Sequence, residues 1–374
     1  MHRGIRNIIT AILLGPMLLS CTNDARPTFP SALEPARAIA HQWVADDPPG
    51  LIWGWREYVL LLGFWRLEEL EPDPIIERYV DDFLDSKRGQ YAPIASDVFS
   101  PATIDLLYCR DIGDPESCER LDDYDAYFDT VHREQGAVVH WTGLPGDDRS
   151  VWIDSIFMVG MYMLERARMT DGDVQRAWYD DLATQFIAFA NILRDGETGL
   201  FNHAYDFATA RFVNGPGAFW GRGNSWYVAA LGETLKTFPV DHPQRARLEQ
   251  LWTEIVDAVA PLQDANGFWH TILTQPDDDY PEMSATALIT YGIAAGLNAG
   301  LTSERGAAVL PLAESALRSS TSTTADGRIV VHGTSESTEP GTIEDYLDIE
   351  VADDVPYGVG AWIMAMRELA LMER

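Results

Sequence analysis

Acidic and basic residues stand close to tryptophans at several points along this sequence. The sugar rings of carbohydrates stack on aromatic side chains, while their hydroxyl groups need charged or amide partners. The pattern therefore predicts a carbohydrate site whose acids are available for proton transfer. The candidate residues are Asp97, Trp152, Asp154, His203, Trp220, Arg222, Trp226 and Trp269.

Each candidate also has a structural alternative when its position alone is considered. Asp154 stands where a helix is predicted to begin and would cap that helix. Asp97 precedes a proline and a helix, which is a common helix start signal. Arg222 would be satisfied by an ion pair with one of the 58 acidic residues. His203 and the tryptophans would fit an apolar core equally well.

Helical periodicity dominates the chain and divides it into about twelve segments. The clearest strand signal is in residues 327–332, within a polar stretch before the last helix. The predicted helices run near residues 32–46, 54–71, 74–87, 101–111, 118–134, 151–170, 173–194, 223–237, 243–263, 282–300, 304–319 and 356–372.

The helices alternate between two kinds. The seventh and ninth are amphipathic, with one polar face, whereas the sixth, eighth, tenth and twelfth are apolar nearly all round. This alternation predicts an all-α fold of two concentric rings, an (α/α)6 barrel formed by residues 32–374 as one domain. If the even-numbered helices form the inner ring, the loops that enter them share one end of the barrel. Most of the candidate residues lie in these loops.

The first twenty residues differ from the rest of the chain. Arg3 and Arg6 precede an apolar run, 8–19, which is too short to span a bilayer and is typical of an export signal. We expect residues 1–20 to be a signal peptide, Cys21 to be lipidated, and residues 21–31 to be a tether. The protein would then be exported and held on a bacterial membrane, facing the periplasm or the cell surface, by its lipid alone. The alternative is an ordinary signal peptide with an incidental cysteine.

The other two cysteines and the net charge limit the surroundings of the protein. Cys109 and Cys118 would form a short disulfide loop in an exported protein, or remain two buried thiols. The formal charge is −31, and −33 without a leader that has two arginines and no acid. So acidic a surface excludes nucleic acid as a partner, and an anionic substrate would need local cations.

Four stretches resemble glycoside hydrolase families 88 and 105, the unsaturated glucuronyl and rhamnogalacturonyl hydrolases, and resemble the second most closely. The similarity extends from about Trp53 to the end of the chain, with the stretches in the same order and at similar spacing. They are VWIDSIFM (151–158), GLFNHAYD (199–206), FWGRGNSW (219–226), and GFWH (267–270) followed by YPEMSAT (280–286).

The resemblance implies a role for each acid. It places the general acid and base on Asp154, and the second aspartate of the family's Asp-x-x-Asn-Pro pattern on Asp97. Ser100 departs from the asparagine of that pattern, and Ser225 stands where glycine is commoner. Asp97 would raise the pKa of Asp154, so that Asp154 is protonated before the reaction.

The implied substrate is an oligosaccharide that ends in a 4,5-unsaturated uronic acid, the product of a polysaccharide lyase. Its enol ether would be hydrated, with a proton added at C4 and water at C5. Arg222 would bind the substrate carboxylate through paired hydrogen bonds and His203 would contact the sugar. We expect no metal and no organic cofactor. The tryptophans expected to form the walls of the site are Trp152, Trp220, Trp226 and Trp269.

Two other classes of function remain compatible with the sequence. One is a different enzyme on the same barrel, such as an inverting glycosidase or a polysaccharide lyase. An inverting glycosidase could use Asp97 and Asp154 as acid and base. The other class is a non-catalytic glycan-binding lipoprotein, which would have no need of Asp154.

Overall fold

Fifteen α-helices make up most of the described residues, which in this computed structural model are 32–48, 50–92, 94–141, 149–275 and 279–372. The predicted leader and tether, with Cys21, lie outside these ranges. The helices are α1 (Leu33–Asp46), α2 (Trp55–Glu68), α3 (Pro74–Lys87), α4 (Ser96–Phe99), α5 (Ala102–Ile112), α6 (Pro115–Glu119), α7 (Leu121–Thr130), α8 (Ser155–Met169), α9 (Gly172–Leu193), α10 (Gly221–Leu235), α11 (Arg245–Val259), α12 (Met283–Asn298), α13 (Glu304–Ser319), α14 (Ile343–Leu347) and α15 (Pro356–Leu371).

Six of these helices form a closed inner ring. In ring order they are α2, α5, α8, α10, α12 and α15, and α15 packs against α2 to complete the circle. Every residue of α10 is buried, as expected for a helix that is covered on all sides. Glycines allow the closest approaches between neighbouring helices, since a Cβ atom on Gly232 would overlap the backbone of Gly292.

The outer ring consists of helices that bury only one face. Helices α3, α9, α11 and α13 pack on α2, α8, α10 and α12, and α1 packs on α15. Helix α7 reaches the inner ring through Tyr124, whose hydroxyl donates to Asp105 of α5 at 2.6 Å. In α11, Leu248, Leu251 and Ile255 are buried, as their spacing predicts. The predicted (α/α)6 barrel is therefore confirmed.

Short strands occur only between the helices of the described chain. They form four small antiparallel sheets, β1–β2, β3–β4–β5, β6–β7 and β8–β9. The strand predicted within 327–332 is present as β7, whereas the helix predicted to begin at 151 begins only at Ser155, because β3 pairs with β4 there. The strands are β1 (Arg133–Glu134), β2 (Ala137–Val138), β3 (Ser150–Trp152), β4 (Ala204–Asp206), β5 (Arg211–Phe212), β6 (Thr321–Thr323), β7 (Ile329–Val331), β8 (Thr334–Ser335) and β9 (Val351–Ala352).

Buried ion pairs close the end of the barrel at which the inner helices finish. Arg66 of α2, with a side chain 1% exposed, donates to Glu165 of α8 at 2.8 Å and lies 3.4 Å from Glu233 of α10. Lys236 joins Glu233 to Glu368 of α15, at 3.0 and 3.1 Å. A ligand must therefore enter from the opposite end, where the inner helices begin.

Cys109 and Cys118 form a disulfide, with Cα atoms 4.9 Å apart, so the disulfide interpretation of these two cysteines is confirmed. The bond ties the end of α5 to α6. None of the described helices combines the length and the apolar character that crossing a membrane requires.

Candidate active site

A narrow pocket at the open end of the barrel brings together most of the residues predicted from the sequence. Its lining includes Asp97, Trp152, Asp154, Trp220, Arg222 and Trp226. Trp55, Met158 and the segment Ser337–Glu339 complete it. A larger groove of about 750 Å³ lies along α1 and α3, but it contains none of the predicted residues. We therefore place the candidate site in the narrow pocket.

Asp154 lies directly before α8, at the end of the turn that follows β3. Its side chain makes no capping hydrogen bond, and its Oδ1 is buried without a hydrogen-bond partner, so helix capping does not account for this residue. Burial is the main cause that raises the pKa of Asp154, which lies at about 7. Backbone amides and Arg222 act to lower this pKa, and the negative charge of Glu339 acts to raise it. A carboxyl group in this state is suited to general acid catalysis near neutral pH.

Asp97 lies in the short helix α4 and faces the same pocket. Its Oδ1 is also buried without a partner. Burial, followed by the charge of Asp154, holds the pKa of Asp97 well above its usual range. Two carboxyl groups so close together do not both ionise readily, so the pair retains a proton under conditions in which isolated aspartates would lose theirs.

His140 joins the two acids and was not predicted from the sequence. Its Nδ1 lies 3.8 Å from Asp154 Oδ1, and its Nε2 lies 3.8 Å from Asp97 Oδ2. The ring stacks on Trp152 at 4.1 Å between centroids, and Nδ1 is within hydrogen-bond distance of the Ser155 hydroxyl at 2.9 Å. Burial lowers the pKa of His140 to about 3, so the imidazole is neutral. The only local signal is its position next to Trp141.

Asp97, His140 and Asp154 are also the described residues that come nearest to a metal site. One donor atom from each lies within 4.8 Å of the others. Two carboxylates and an imidazole would suit a divalent cation such as zinc, with an open coordination position. The hydration expected here needs only a proton donor, and we interpret the three residues as a group that holds and moves a proton.

His203 lies behind the pocket wall. Its Nδ1 is 2.8 Å from the Tyr346 hydroxyl, and its ring stacks on Trp220 at 4.2 Å between centroids. Burial holds the pKa of His203 well below its usual range, so this imidazole is also neutral. Its Nε2 is buried and has no hydrogen-bond partner. His203 thus supports Trp220 from behind, and it is not among the residues that line the pocket.

The four predicted wall tryptophans divide into two groups. Trp152, Trp220 and Trp226 line the pocket. Trp269 does not, and its indole Nε1 instead donates to the carbonyl of Val259, at the end of α11, at 2.7 Å. The expectation that Trp269 forms part of the wall is therefore corrected to a role in the core. Its polar nitrogen is satisfied there, which makes complete burial of the indole favourable.

Arg222 is fully buried, and most of its donors already have protein partners. Nη1 donates to the carbonyl of Ser335 at 3.0 Å and to its hydroxyl, and Nη2 donates to the Glu336 carbonyl and the Thr338 hydroxyl, each at 2.8 Å. Of its five N–H groups, only Nε–H lacks a partner. While this segment stays in place, Arg222 can offer a substrate carboxylate one hydrogen bond rather than the predicted pair.

An (α/α)6 barrel with paired acids among tryptophans at its open end defines a carbohydrate-active protein. Residues 35–373 match the model of Glycosyl Hydrolase Family 88, and the chain belongs to this family.

Two curated relatives carry more specific names. The chain is 31% identical over 229 residues to an unsaturated 3S-rhamnoglycuronyl hydrolase of Alteromonas sp. (strain LOR), which covers 60% of this chain and 52% of that protein. It is 33% identical over 146 residues to the unsaturated rhamnogalacturonyl hydrolase YesR of Bacillus subtilis (strain 168), covering 39% of this chain and 40% of the relative. The chain thus spans about half the length of the curated relatives it matches.

Solved structures share the fold at low sequence identity. A family 105 glycoside hydrolase from C. acetobutylicum ATCC 824 superposes with a TM-score of 0.80 at 21% identity, covering 89% of this chain and 98% of the other. An unsaturated glucuronyl hydrolase from Bacillus sp. GL1 superposes with a TM-score of 0.69 at 13% identity, covering 90% of this chain and 95% of the other. At such identities the likeness establishes the barrel only.

Proposed function

We propose that this protein removes a 4,5-unsaturated uronic acid from the non-reducing end of lyase-generated oligosaccharides by hydrating the enol ether double bond. One observation carries the proposal. Asp154 is a buried carboxyl group whose pKa is about 7, beside a second carboxyl group, in a tryptophan-lined pocket. A protonated carboxylic acid in such a place is the donor that hydration of an enol ether requires.

The reaction uses Asp154 first as an acid and then as a base. Its proton adds to C4 of the unsaturated ring, and positive charge develops on C5 and the ring oxygen. Once Asp154 has given up its proton, the negative charge of the acid pair stabilises that positive charge. Water then adds at C5 and returns a proton to Asp154. The resulting hemiketal opens and releases the rest of the oligosaccharide.

The names of the relatives indicate the substrates with which to begin. One relative is named for a rhamnoglycuronyl and the other for a rhamnogalacturonyl substrate. We propose that the unsaturated uronic acid is likewise linked to rhamnose, and that products of rhamnogalacturonan and ulvan lyases should be assayed first. Loss of the ultraviolet absorbance of the conjugated double bond reports turnover directly.

We also propose that the enzyme is a lipoprotein. The positively charged start, the short apolar run and Cys21 support export and lipidation. The barrel would then act at a membrane surface on oligosaccharides that reach it from outside.

The nearest rival is an inverting glycosidase on the same barrel. Inverting enzymes hold their two carboxyl groups roughly 6.5 to 9.5 Å apart, which leaves room for a water molecule. One oxygen of Asp97 and one of Asp154 lie within 4.8 Å of each other, so ionisation of one carboxyl group opposes ionisation of the other. The labelling experiment, rather than this distance, separates hydration from inverting hydrolysis.

Isotopic labelling tests the reaction. In heavy water we expect deuterium at C4 of the product, and with labelled water we expect the oxygen at C5, before any later exchange. The matched saturated uronoside should be inert, because it lacks the double bond. Label at C1, together with cleavage of the saturated compound, would contradict hydration and support the inverting rival. Binding without turnover would support a glycan-binding protein.

A further inference from the structure

A third acid lies in the pocket, on a segment that no motif of the sequence analysis included. Glu339 belongs to the lining, together with Ser337 and Thr338, although it is far from Asp154 along the chain. It is more exposed than either aspartate, and its partial burial raises its pKa. The polar excursion before α15 therefore contributes a carboxyl group to the mouth of the catalytic pocket.

The segment that carries Glu339 is fixed from both sides. Before it, β8 pairs with β9, and Ser335 N donates to Glu282 Oε1 at 3.1 Å. After it, the Gly341 carbonyl accepts from Gly215 N at 2.9 Å. In between, Arg222 binds the carbonyls of Ser335 and Glu336. A segment held at so many points presents its side chains in a defined place.

Arg222 thus connects this segment to the active site. It donates to the hydroxyl of Thr338, the residue directly before Glu339. The Thr338 hydroxyl in turn donates to the Glu336 carbonyl at 2.9 Å. Its guanidinium also lies over the Trp220 ring at 4.7 Å. The groups that face Asp154 from the surrounding elements are Asp97, His140, Arg222, Glu339 and Tyr346.

The charged groups around Asp154 have opposite effects on its ionisation. His140 is neutral, and Arg222 favours ionisation of Asp154. Ionisation of Asp97 is opposed by the charge of Asp154, so the two acids act as a pair. Glu339 is therefore the acidic neighbour outside the pair whose negative charge opposes loss of the proton from Asp154.

We propose that Glu339 is a positioning residue for the reaction: it is held at the pocket by the Arg222-bound segment, and its charge keeps the proton on Asp154. The inference rests on the proposed function, in which Asp154 must be protonated. It assigns Arg222 a second task besides any contact with substrate, namely to fix the segment that carries Glu339.

The test is the pH profile of kcat/KM for Glu339→Gln. Deprotonation of Asp154 sets the alkaline limb of this profile, so removing a negative neighbour should move the limb to lower pH, by about half a pH unit or less because Glu339 is exposed to solvent. At pH below the limb, the rate should stay within about threefold of wild type. The charge-retaining Glu339→Asp should keep the limb closer to its original position. Glu344→Gln, which removes the same charge at an exposed position in α14, should leave the limb unmoved.

Thr338→Val tests the connection through Arg222, since it removes the hydroxyl that accepts from Nη2. It should shift the limb in the same direction as Glu339→Gln, and the double variant should shift no further than Glu339→Gln alone. An unmoved limb in Glu339→Gln would overturn the proposal. A rate loss at every pH without a shift would also overturn it, because Glu339 would then act on the substrate directly.

The failure of this inference can be distinguished from failure of the proposed function. If wild-type enzyme does not turn over unsaturated oligosaccharides, the function is wrong whatever the variants do. The carboxyl stretching band that disappears in Asp154→Asn can then be titrated by infrared difference spectroscopy in wild type and in Glu339→Gln. An identical titration in both proteins overturns the inference independently of activity.

Discussion

Replacing Asp154 by asparagine should abolish catalysis and, at alkaline pH, stabilise the fold. An amide cannot deliver the proton, so we expect turnover to fall by a factor of about 100 to 10,000. The stability effect follows from burial. The side chain is 13% exposed, and its pKa is about 7, compared with about 3.9 for an unfolded aspartate.

The size and the pH range of the stability effect follow from linkage. A pKa of about 7 in the folded protein, against about 3.9 in the unfolded chain, corresponds to about 4 kcal/mol of destabilisation once Asp154 is ionised. Because the group is an acid whose pKa is raised, the penalty is absent below about pH 4 and complete above about pH 7. Asparagine is neutral throughout, so Asp154→Asn should have the same stability as wild type at pH 4 and exceed it by up to about 4 kcal/mol at pH 8.

Two measurements check this reasoning. Thermal or urea unfolding of both proteins at pH 4 and pH 8 gives the difference in the free energy of unfolding, and the ultraviolet assay gives turnover. Asp122→Asn, at an exposed position in α7, is a matched control that should show neither effect. A variant that is destabilised at pH 8, or that retains more than a tenth of the wild-type rate, would refute the assignment of Asp154 as the buried acid.

Three further predictions concern residues outside the acid pair. Cys21→Ala should move the protein from the membrane to the soluble fraction with full activity, and a wild type that is already soluble would contradict the lipid anchor. Cys109→Ser should lose about 2 to 3 kcal/mol of unfolding free energy relative to the oxidised wild type, as expected for a loop of this length, and should match the wild type in reductant, both measured in urea. Trp269→Phe should lower Tm and leave KM unchanged, whereas Trp220→Phe should change KM. The reverse pattern would indicate that Trp269, and not Trp220, contacts the substrate.

Most of the fold could be predicted from the sequence because barrel helices are specified locally. Apolar periodicity separates the covered helices from those with a polar face, and the residues involved are neighbours along the chain. The error at residues 151–154 has a clear cause. Trp152 and its neighbours are apolar enough to continue a helix, but β3 instead pairs with β4, whose residues lie some fifty positions further along the chain. Tertiary pairing overrides local propensity there.

Site residues could be predicted from the sequence where they belong to a recognisable motif. Residues that only the fold brings into the site could not. Asp97 and Asp154 were named from sequence and share the pocket. His140 was missed because a single histidine outside the predicted helices carries no periodic signal. Trp269 was misplaced because tryptophans of the core and of a sugar site look alike in a sequence.

Arg222 shows why residue type alone does not fix a role. In a chain of net charge −31, a buried arginine among acids suggests an ion pair or a site for a substrate anion. The structure gives four of its five donors to oxygens of residues 335–338, more than one hundred positions away. It also places Glu282 Oε1 3.8 Å from Nη1, with both side chains fully buried, so the ion pair is present as well. Arg222 therefore holds the segment in place and pairs with a buried acid, and its Nε–H is left to meet the carboxylate of an anionic substrate.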